Sequence, residues 1–365
     1  MKLAFCIFKY FPYGGLQQDM LRIASACLDR GHDIDVLTMS WEGENELGLN
    51  IRIIEATSNS NHQRAKAFAE RIADDIDKYD LVIGFNKMPG LDWYFSGDVC
   101  FQHAKRHRSF IYHKTARYKT YLALEASVFS TDSSTQIMVL TEQQKKDYQR
   151  CYHTPDERFH LVPPGIATNE LSPREMKHRR QELREAMGIS DEYVVMLFVA
   201  SSFKTKGLDF AVAALSMLND PRVLLIVVGD DIKRAYQRLA NKLAVEDRVF
   251  FVGPQPDVRL YMLAADMLIN PARVESAGMA IIEALTMGLP VILPDHCGYA
   301  SHVQQAEAGV ILPRQFELQD LATAMQDSLE AERRERWTQN ALHYVANTDL
   351  YSLGEKAANL FEEMA

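Results

Sequence analysis

The stretch Asn270-Pro271-Ala272-Arg273-Val274-Glu275-Ser276-Ala277-Gly278-Met279-Ala280-Ile281-Ile282-Glu283 decides how the chain is read. Residues 267–269 are an apolar run that enters Pro271, and the loop that follows carries Glu275 and Gly278. From Ile281, Ile282 and Leu285 the apolar spacing becomes helical. A loop that opens onto a helix N-terminus offers unpaired backbone N–H groups and a partial positive charge to an anionic or hydroxyl-rich ligand. Glu275 is expected at the mouth of that loop and Glu283 two turns along the helix. Spacing alone favours two ordinary carboxylates, the first stabilised by the helix dipole. Glu283, however, sits among Ile281, Ile282, Ala284 and Leu285, where a charge needs a partner, and a ribose diol could supply one.

Outward from this stretch, the second half of the chain alternates strands at 194–199, 223–228, 249–251, 267–269 and 291–293 with helical segments. These runs are rich in Val, Ile and Leu without polar alternation, as expected of parallel strands covered on both faces. The first half repeats the pattern, with strands at 3–8, 34–38, 51–55, 81–85 and 136–140 and helices near 16–30, 63–77, 114–129 and 142–152. Pro163-Pro164-Gly165 and a polar stretch over 168–180 mark a boundary between the halves. The fold class implied is α/β, with two doubly wound Rossmann-like domains in series, over 1–166 and 167–345. A final segment, 346–365, has no strand after it and is placed to cap a domain or bridge back to the first. Ligands of such sheets bind outside the carboxyl ends of the strands, so a cleft between facing domains is the expected site.

Composition sets limits on function. Of 365 residues, 47% are hydrophobic and 24% charged, which describes an ordinary globular protein. Cys6, Cys27, Cys100, Cys151 and Cys297 are scattered without Cys-x-x-Cys spacing, so neither a disulfide framework nor a zinc site is expected, and a reducing cytoplasm fits. The apolar start of the chain is interrupted at Lys9, too early for a secretion signal, and no run is long enough to span a bilayer. The net charge of −9 argues against a general nucleic-acid binder. The charge is uneven: 20 bases face 21 acids in 1–165, and 20 face 28 in 166–365. Between Asp98 and Glu125 there is no acid, while Lys105, Arg106, Arg108, Lys114, Arg117 and Lys119 are all basic. Within 102–129 these bases interleave with Phe110, Ile111, Tyr112, Tyr118 and Tyr121, the composition of a contact with an anionic membrane surface.

Two further strand-to-helix junctions carry candidate chemistry. Gly14-Gly15 follows the first strand, and Gly15 would let a backbone approach a phosphate or sugar; a simple tight turn fits equally. Neither a Gly-x-Gly-x-x-Gly fingerprint nor a Gly-x-x-x-x-Gly-Lys-Ser/Thr phosphate loop occurs. After strand 194–199 comes Ser201-Ser202-Phe203-Lys204-Thr205-Lys206-Gly207, where two lysines at a helix start form a diphosphate clamp. Asp33-x-Asp35 and Asp75-x-Asp77 have a metal-binding spacing, but surface placement is expected for both pairs and no metal is predicted.

Taken together these residues resemble the retaining family-four glycosyltransferases of GT-B fold, whose Glu-x7-Glu element matches Glu275 and Glu283. More specifically, Lys9-Tyr10-Phe11-Pro12-Tyr13-Gly14-Gly15-Leu16-Gln17, Ser40-Trp41-Glu42-Gly43, Phe85-Asn86-Lys87-Met88-Pro89-Gly90-Leu91-Asp92, Pro163-Pro164-Gly165-Ile166, Cys297-Gly298-Tyr299-Ala300 and Asp349-Leu350-Tyr351-Ser352 resemble the bacterial lipopolysaccharide core glucosyltransferases. The resemblance implies a C-terminal domain that binds UDP-glucose as a substrate, with no cofactor, and an N-terminal domain that binds the lipid-linked inner-core acceptor. It assigns Lys206 to the diphosphate, Glu283 to the ribose and Glu275 with Gly278 to the glucose hydroxyls. It brings Gly15 and Asp19 over the donor and gives Asp98 a positioning or acid/base role. It also makes the basic stretch a membrane contact at the inner face of the cytoplasmic membrane. Two departures bear on the donor: Thr205 stands where the family often has Arg, so that Lys204 shares the phosphate charge, and Thr168-Asn169-Glu170 replaces a commonly placed arginine. Other readings are a different UDP-sugar-dependent transferase acting on a lipid-linked glycan, a sugar-nucleotide epimerase of the same architecture, and a non-catalytic lipid-binding scaffold.

Overall fold

The structure is a computed structural model that describes residues 1–12, 14–168 and 171–364. The described residues divide into two compact units, residues 1–165 with 351 onward, and 166–350. Unit 1 holds a seven-stranded sheet of β1 (Lys2–Cys6), β2 (Asp33–Thr38), β3 (Asn50–Ile53), β4 (Leu81–Gly84), β5 (Trp93–Ser96), β6 (Gln136–Val139) and β7 (Phe159–Leu161), in the order β3-β2-β1-β4-β5-β6-β7. Unit 2 holds β8 (Val194–Val199), β9 (Val223–Val228), β10 (Val249–Gly253), β11 (Met267–Ile269), β12 (Val291–Pro294) and β13 (Gly309–Leu312), in the order β10-β9-β8-β11-β12-β13. Every pairing in both sheets is parallel. The strand order reverses between β1 and β4 in unit 1 and between β8 and β11 in unit 2. At such a switch point the crossovers leave in opposite directions and open a crevice at the carboxyl ends.

Strands β5 and β13 were not among those expected from the sequence. Each is four residues long, and β5 (Trp-Tyr-Phe-Ser) is an aromatic run held between Asp92 and Gly97. The polar stretch after Pro-Pro-Gly likewise differs from expectation, because Pro173–Ala186 is a helix opened by a Ser172/Glu175 capping box. Its inward face carries arginines beside Met176: Arg180 and Arg184 reach Asp266 at 2.6 and 3.2 Å, and Arg184 is only 3% exposed. Asp35, expected on the surface, is buried on β2, where it accepts hydrogen bonds from Asn50 (2.6 Å) and Tyr79 (2.7 Å). Arg52 links Tyr79 to Asp75, so both aspartate pairs contribute to one side-chain chain that ties the edge of the sheet. The last helix, Leu353–Met364, packs in unit 1 along the helix Gly15–Asp29, where Arg30 holds Glu355 and Glu362.

The Phe85–Asp92 run is explained by this packing. Leu91 lies where Gly84 lacks a side chain, and Asp92 accepts the Val82 N–H at 2.8 Å. Lys87 donates to Glu125 at 2.6 Å and to the Val99 carbonyl at 2.9 Å. Glu125, with no exposed surface, also accepts from the Phe101 and Gln102 N–H groups (2.6 and 2.9 Å) and from Tyr152 (2.8 Å). Burial acts to lower the Lys87 pKa, but Tyr94, Glu125 and Asp98 outweigh it and raise the value above that of an ordinary lysine. Removing the carboxylate strands a buried ammonium and several donors. Glu125→Leu is therefore expected to cost about 3–5 kcal/mol, with part recovered in Glu125→Leu/Lys87→Met, as measured by denaturant unfolding.

Candidate active site

In unit 2, β8 and β11 are neighbours across the switch point, with Met196 paired to Met267 and Leu197 to Leu268. Their carboxyl ends therefore deliver two loops side by side. The first continues into the one-turn helix Phe203–Lys206, and the second carries Glu275 into the helix Met279–Thr286. Lys206 donates to the Glu275 carboxylate, and both side chains are mostly enclosed, at 21% and 9% exposure. Lys204 is two positions away on the same turn, cannot face the same point, and is exposed. The backbone N–H of Phe203 is taken by Asp231 at 2.7 Å. That helix end is thus neutralised by a side chain of the protein, contrary to the open N-terminus expected there, and the positive charge facing the site is that of Lys206.

The two loops are locked together by Arg273, which sequence reasoning passed over. Its N–H donates to the Thr205 carbonyl at 2.8 Å, and its guanidinium reaches the Lys204 carbonyl at 3.0 Å and Asp209 at 2.7 and 2.6 Å while lying 4.1 Å from the Phe210 ring centre. The sequence signal was faint, since Arg273 stands two residues before Glu275 but its partners lie more than sixty residues away. Asp209 is held below its usual pKa: burial pushes it up, and hydrogen bonding and charge from Arg273 prevail.

Gly278 (φ 93°) turns the chain into Met279–Thr286 against the Glu275 side chain, and as the N-cap residue it brings no side-chain cap of its own. The Ile281 N–H turns back to the Gly278 carbonyl at 2.8 Å, and the helix dipole favours negative charge beside Glu275. Beneath the loop runs Cys297-Gly298-Tyr299. The Tyr299 N–H donates to the Ala277 carbonyl at 2.9 Å, and a Cβ on Gly298 would lie 1.9 Å from the Ser276 carbonyl oxygen. Burial, reinforced by the Glu275 carboxylate, pushes the Cys297 thiol pKa up and keeps it protonated. Glu283 is half-buried on the helix, and its charge helps to raise the Arg259 pKa, for which hydrogen bonding to Asp257 is the larger cause.

Comparison with known proteins fits this geometry. Residues 179–344 match the family described as Glycosyl transferases group 1, and residues 13–170 match Glycosyltransferase Family 4. The chain is 39% identical over 367 residues to the lipopolysaccharide glucosyltransferase WaaG of Escherichia coli K12, covering 99% of this chain and 98% of that protein. The crystal structure of WaaG, a glycosyltransferase involved in lipopolysaccharide biosynthesis, superposes with a TM-score of 0.93 over 98% of this chain and 99% of that one. Anabaena Alr3699/HepE, solved with UDP and glucose, shares the fold at a TM-score of 0.79 and 18% identity, with complete coverage of both chains. This chain belongs to the family-four glycosyltransferases of GT-B fold.

The remaining predicted residues of this glycosyltransferase lie in unit 1. Gly15 is exposed at the first position of the helix Gly15–Asp29, and it is Gly14 before it that has no room for a Cβ, with Gln17 Oε1 1.9 Å from that position. Asp19 is 3% exposed and accepts from Arg22 at 3.0 Å. Asp98 is exposed on the turn after β5, where its backbone carbonyl accepts from Tyr148 at 3.2 Å and the neighbouring Val99 carbonyl is held by Lys87. Tyr10 stacks on Trp41 with ring centres 3.7 Å apart, which joins two of the sequence runs noted above. Lys105, Arg106, Arg108, Lys114, Arg117 and Lys119 lie on or between the helices Phe101–Lys105, Phe110–His113 and Ala116–Phe129, whereas the sequence pattern suggested one helix over 114–129. Tyr13, Asn169 and Glu170 lie outside the described residues, so the departure at 168–170 is placed only at Thr168.

The tight packing at Gly298 makes it a test of the Glu275 loop. Gly298→Ala must displace Ser276 and the carboxylate next to it, and displacements of that size cost about tenfold or more in rate. The expected result is a loss of at least about tenfold in kcat/KM for sugar transfer, with a retained cooperative melt.

Proposed function

We propose that this glycosyltransferase moves glucose from UDP-glucose to the heptose of the lipopolysaccharide inner core. The observation that carries the reading is the Lys206–Glu275 pair at the unit 2 switch point, a cation and a carboxylate on adjoining loops beside a helix N-terminus. The glucosyl donor and lipopolysaccharide acceptor are taken from the relative that matches over nearly the whole chain. Lys206 stabilises the leaving diphosphate and Glu275, with the Gly278 loop, holds the glucose hydroxyls. Glu283 holds the ribose, and Lys204 adds charge near the phosphates from the rim. Preorganised charge of this kind stabilises a departing diphosphate without a metal or cofactor.

The proposed reaction retains anomeric configuration. The acceptor hydroxyl attacks C1 on the face from which UDP departs, the C1–O bond to the β-phosphate breaks with its electron pair on the phosphate, and that phosphate takes the hydroxyl proton. Asp98 orients the acceptor hydroxyl. Lys206→Ala and Glu275→Ala are each expected to lower glucosyl transfer to a heptose-terminated core by about a hundredfold or more while the chain stays folded. A panel of UDP-sugars and truncated cores measures this; near-normal rates in both variants would reject the site.

The same reading places the protein peripherally on the inner face of the cytoplasmic membrane. No helix among the described residues is long and apolar enough to cross a membrane. The support for surface attachment is the short helix Phe110–His113, where Phe110 and Ile111 are 71% and 78% exposed and Lys114 lies 4.3 Å from the Phe110 ring centre. Apolar tips ringed by bases suit an anionic interface. Binding to anionic vesicles should weaken as salt rises and fall in Phe110→Ser/Ile111→Ser, as followed by co-sedimentation; equal binding to neutral vesicles would count against it.

A further inference from the structure

Unit 1 has a cavity of its own that none of the donor roles uses. It measures about 260 Å³ and is lined by Lys9, Gln17, Asn61, Arg64, Asn86 and Tyr121, among others. Lys9 and Gln17 follow β1, Asn86 follows β4, and Asn61 and Arg64 open the helix Asn61–Ile72. Because β1 pairs with β2 on one side and β4 on the other, the cavity lies at the switch point of the first sheet. That is where doubly wound sheets hold ligands.

Phe8, Leu16, Met39 and Ala65 supply an apolar lining, and the polar groups among it are mainly donors. The lining includes two cations and three side-chain amides and no carboxylate. Among the described residues neither Lys9 nor Arg64 forms an ion pair, and Arg64 gives one N–H to Asn61 Oδ1 at 2.6 Å. Asn86 spends its oxygen on the Phe8 N–H at 2.7 Å, which leaves its NH2 as a donor. Gln17 donates to the Lys9 carbonyl at 2.9 Å and so fixes the loop that presents the lysine. Two cations lining one cavity that has no carboxylate in its wall suit an oxyanion, and Arg64 can engage a phosphate or carboxylate through two N–H groups. The volume falls below the usual range of about 300–1,000 Å³ for drug-sized ligands, so one sugar ring with its substituent fits and an oligosaccharide does not.

We propose that this cavity is an acceptor subsite that takes one anionic sugar residue of the acceptor glycan. Lys9 and Arg64 hold its phosphate or carboxylate, Asn61 and Asn86 meet its hydroxyls, and Tyr121 closes one side. The assignment rests on the reading of the acceptor as an inner-core glycan.

The test uses the full chain and the variants Arg64→Gln, Lys9→Gln and Arg64→Lys. Transfer is measured at saturating UDP-glucose against native core, phosphatase-treated core and carboxyl-reduced core. Loss of a charge-assisted hydrogen bond is worth about tenfold or more in binding. The two glutamine variants should raise the acceptor KM by about that factor and leave the donor KM unchanged, and Arg64→Lys should restore much of the loss. Whichever treatment of the core abolishes the difference between wild type and Arg64→Gln identifies the anion as phosphate or carboxylate. An unchanged acceptor KM in both glutamine variants, or an equal penalty on the donor, overturns the subsite. Lys9 is exposed, so Lys9→Gln provides a folded variant should Arg64→Gln melt early. If wild type transfers nothing to any core, the acceptor reading fails by itself. In that case mannose 6-phosphate is titrated by calorimetry: binding that Arg64→Gln abolishes upholds an anionic-sugar site, and no binding to wild type rejects it.

Discussion

The contact between Lys206 and Glu275 depends on two strands being neighbours in space while their loops are 69 residues apart in the chain. Parallel pairing of β8 with β11 brings both carboxyl ends to one edge, and Arg273 then fastens the two loops through Thr205, Lys204 and Asp209. The pair is mostly enclosed, so neither charge is fully solvated and each is the principal compensation for the other. In the proposed reaction an arriving diphosphate would displace the carboxylate from Lys206 without isolating the cation, and the released Glu275 would have sugar hydroxyls to accept from. Charges arranged in advance need little reorganisation when the leaving group develops its own.

The same topological rule operates in each unit with different side chains. In unit 2 the switch point holds a cation–carboxylate pair, suited to a ligand that is part anion and part polyol. In unit 1 it holds Lys9, Arg64 and amides without a carboxylate, suited to an anion with hydroxyls around it. Both sets stand on loops leaving buried parallel strands, and the rigidity of those strands gives the loops defined positions.

Most of the architecture was legible because parallel strands buried on both faces leave unmistakable Val/Ile/Leu runs, as at 194–199 and 223–228. Reading failed where burial was achieved by other means. The helix Pro173–Ala186 turns Arg184 inward onto Asp266, so its sequence looks like solvated linker, and Asp35 is buried because Tyr79 and Asn50 satisfy it. Glu275, Glu283 and Lys206 were singled out from their places at strand-to-helix junctions, a local signal, together with the family resemblance. Arg273 and Asp231 act through residues distant in sequence, and the use of Asp231 to neutralise a helix end has no local mark at all. Gly298 was noted only as part of a family run; the reason for it is the Ser276 carbonyl, which becomes apparent once β12 lies beside β11.

Glu125 shows how one buried residue can shape a surface. It is the acid that ends the run of bases from Lys105 to Lys119. In the structure its carboxylate is fully occupied by Lys87, Tyr152 and the N–H groups of Phe101 and Gln102. It is also enclosed by protein, so its field at the surface is compensated by the Lys87 ammonium. The neighbouring bases therefore keep their positive field with no acid of their own segment to screen it, and Phe110 and Ile111 project from that field into solvent. By anchoring the start of Phe101–Lys105 while Lys87 holds Val99, the same carboxylate ties this basic, apolar-tipped surface to the turn that carries Asp98.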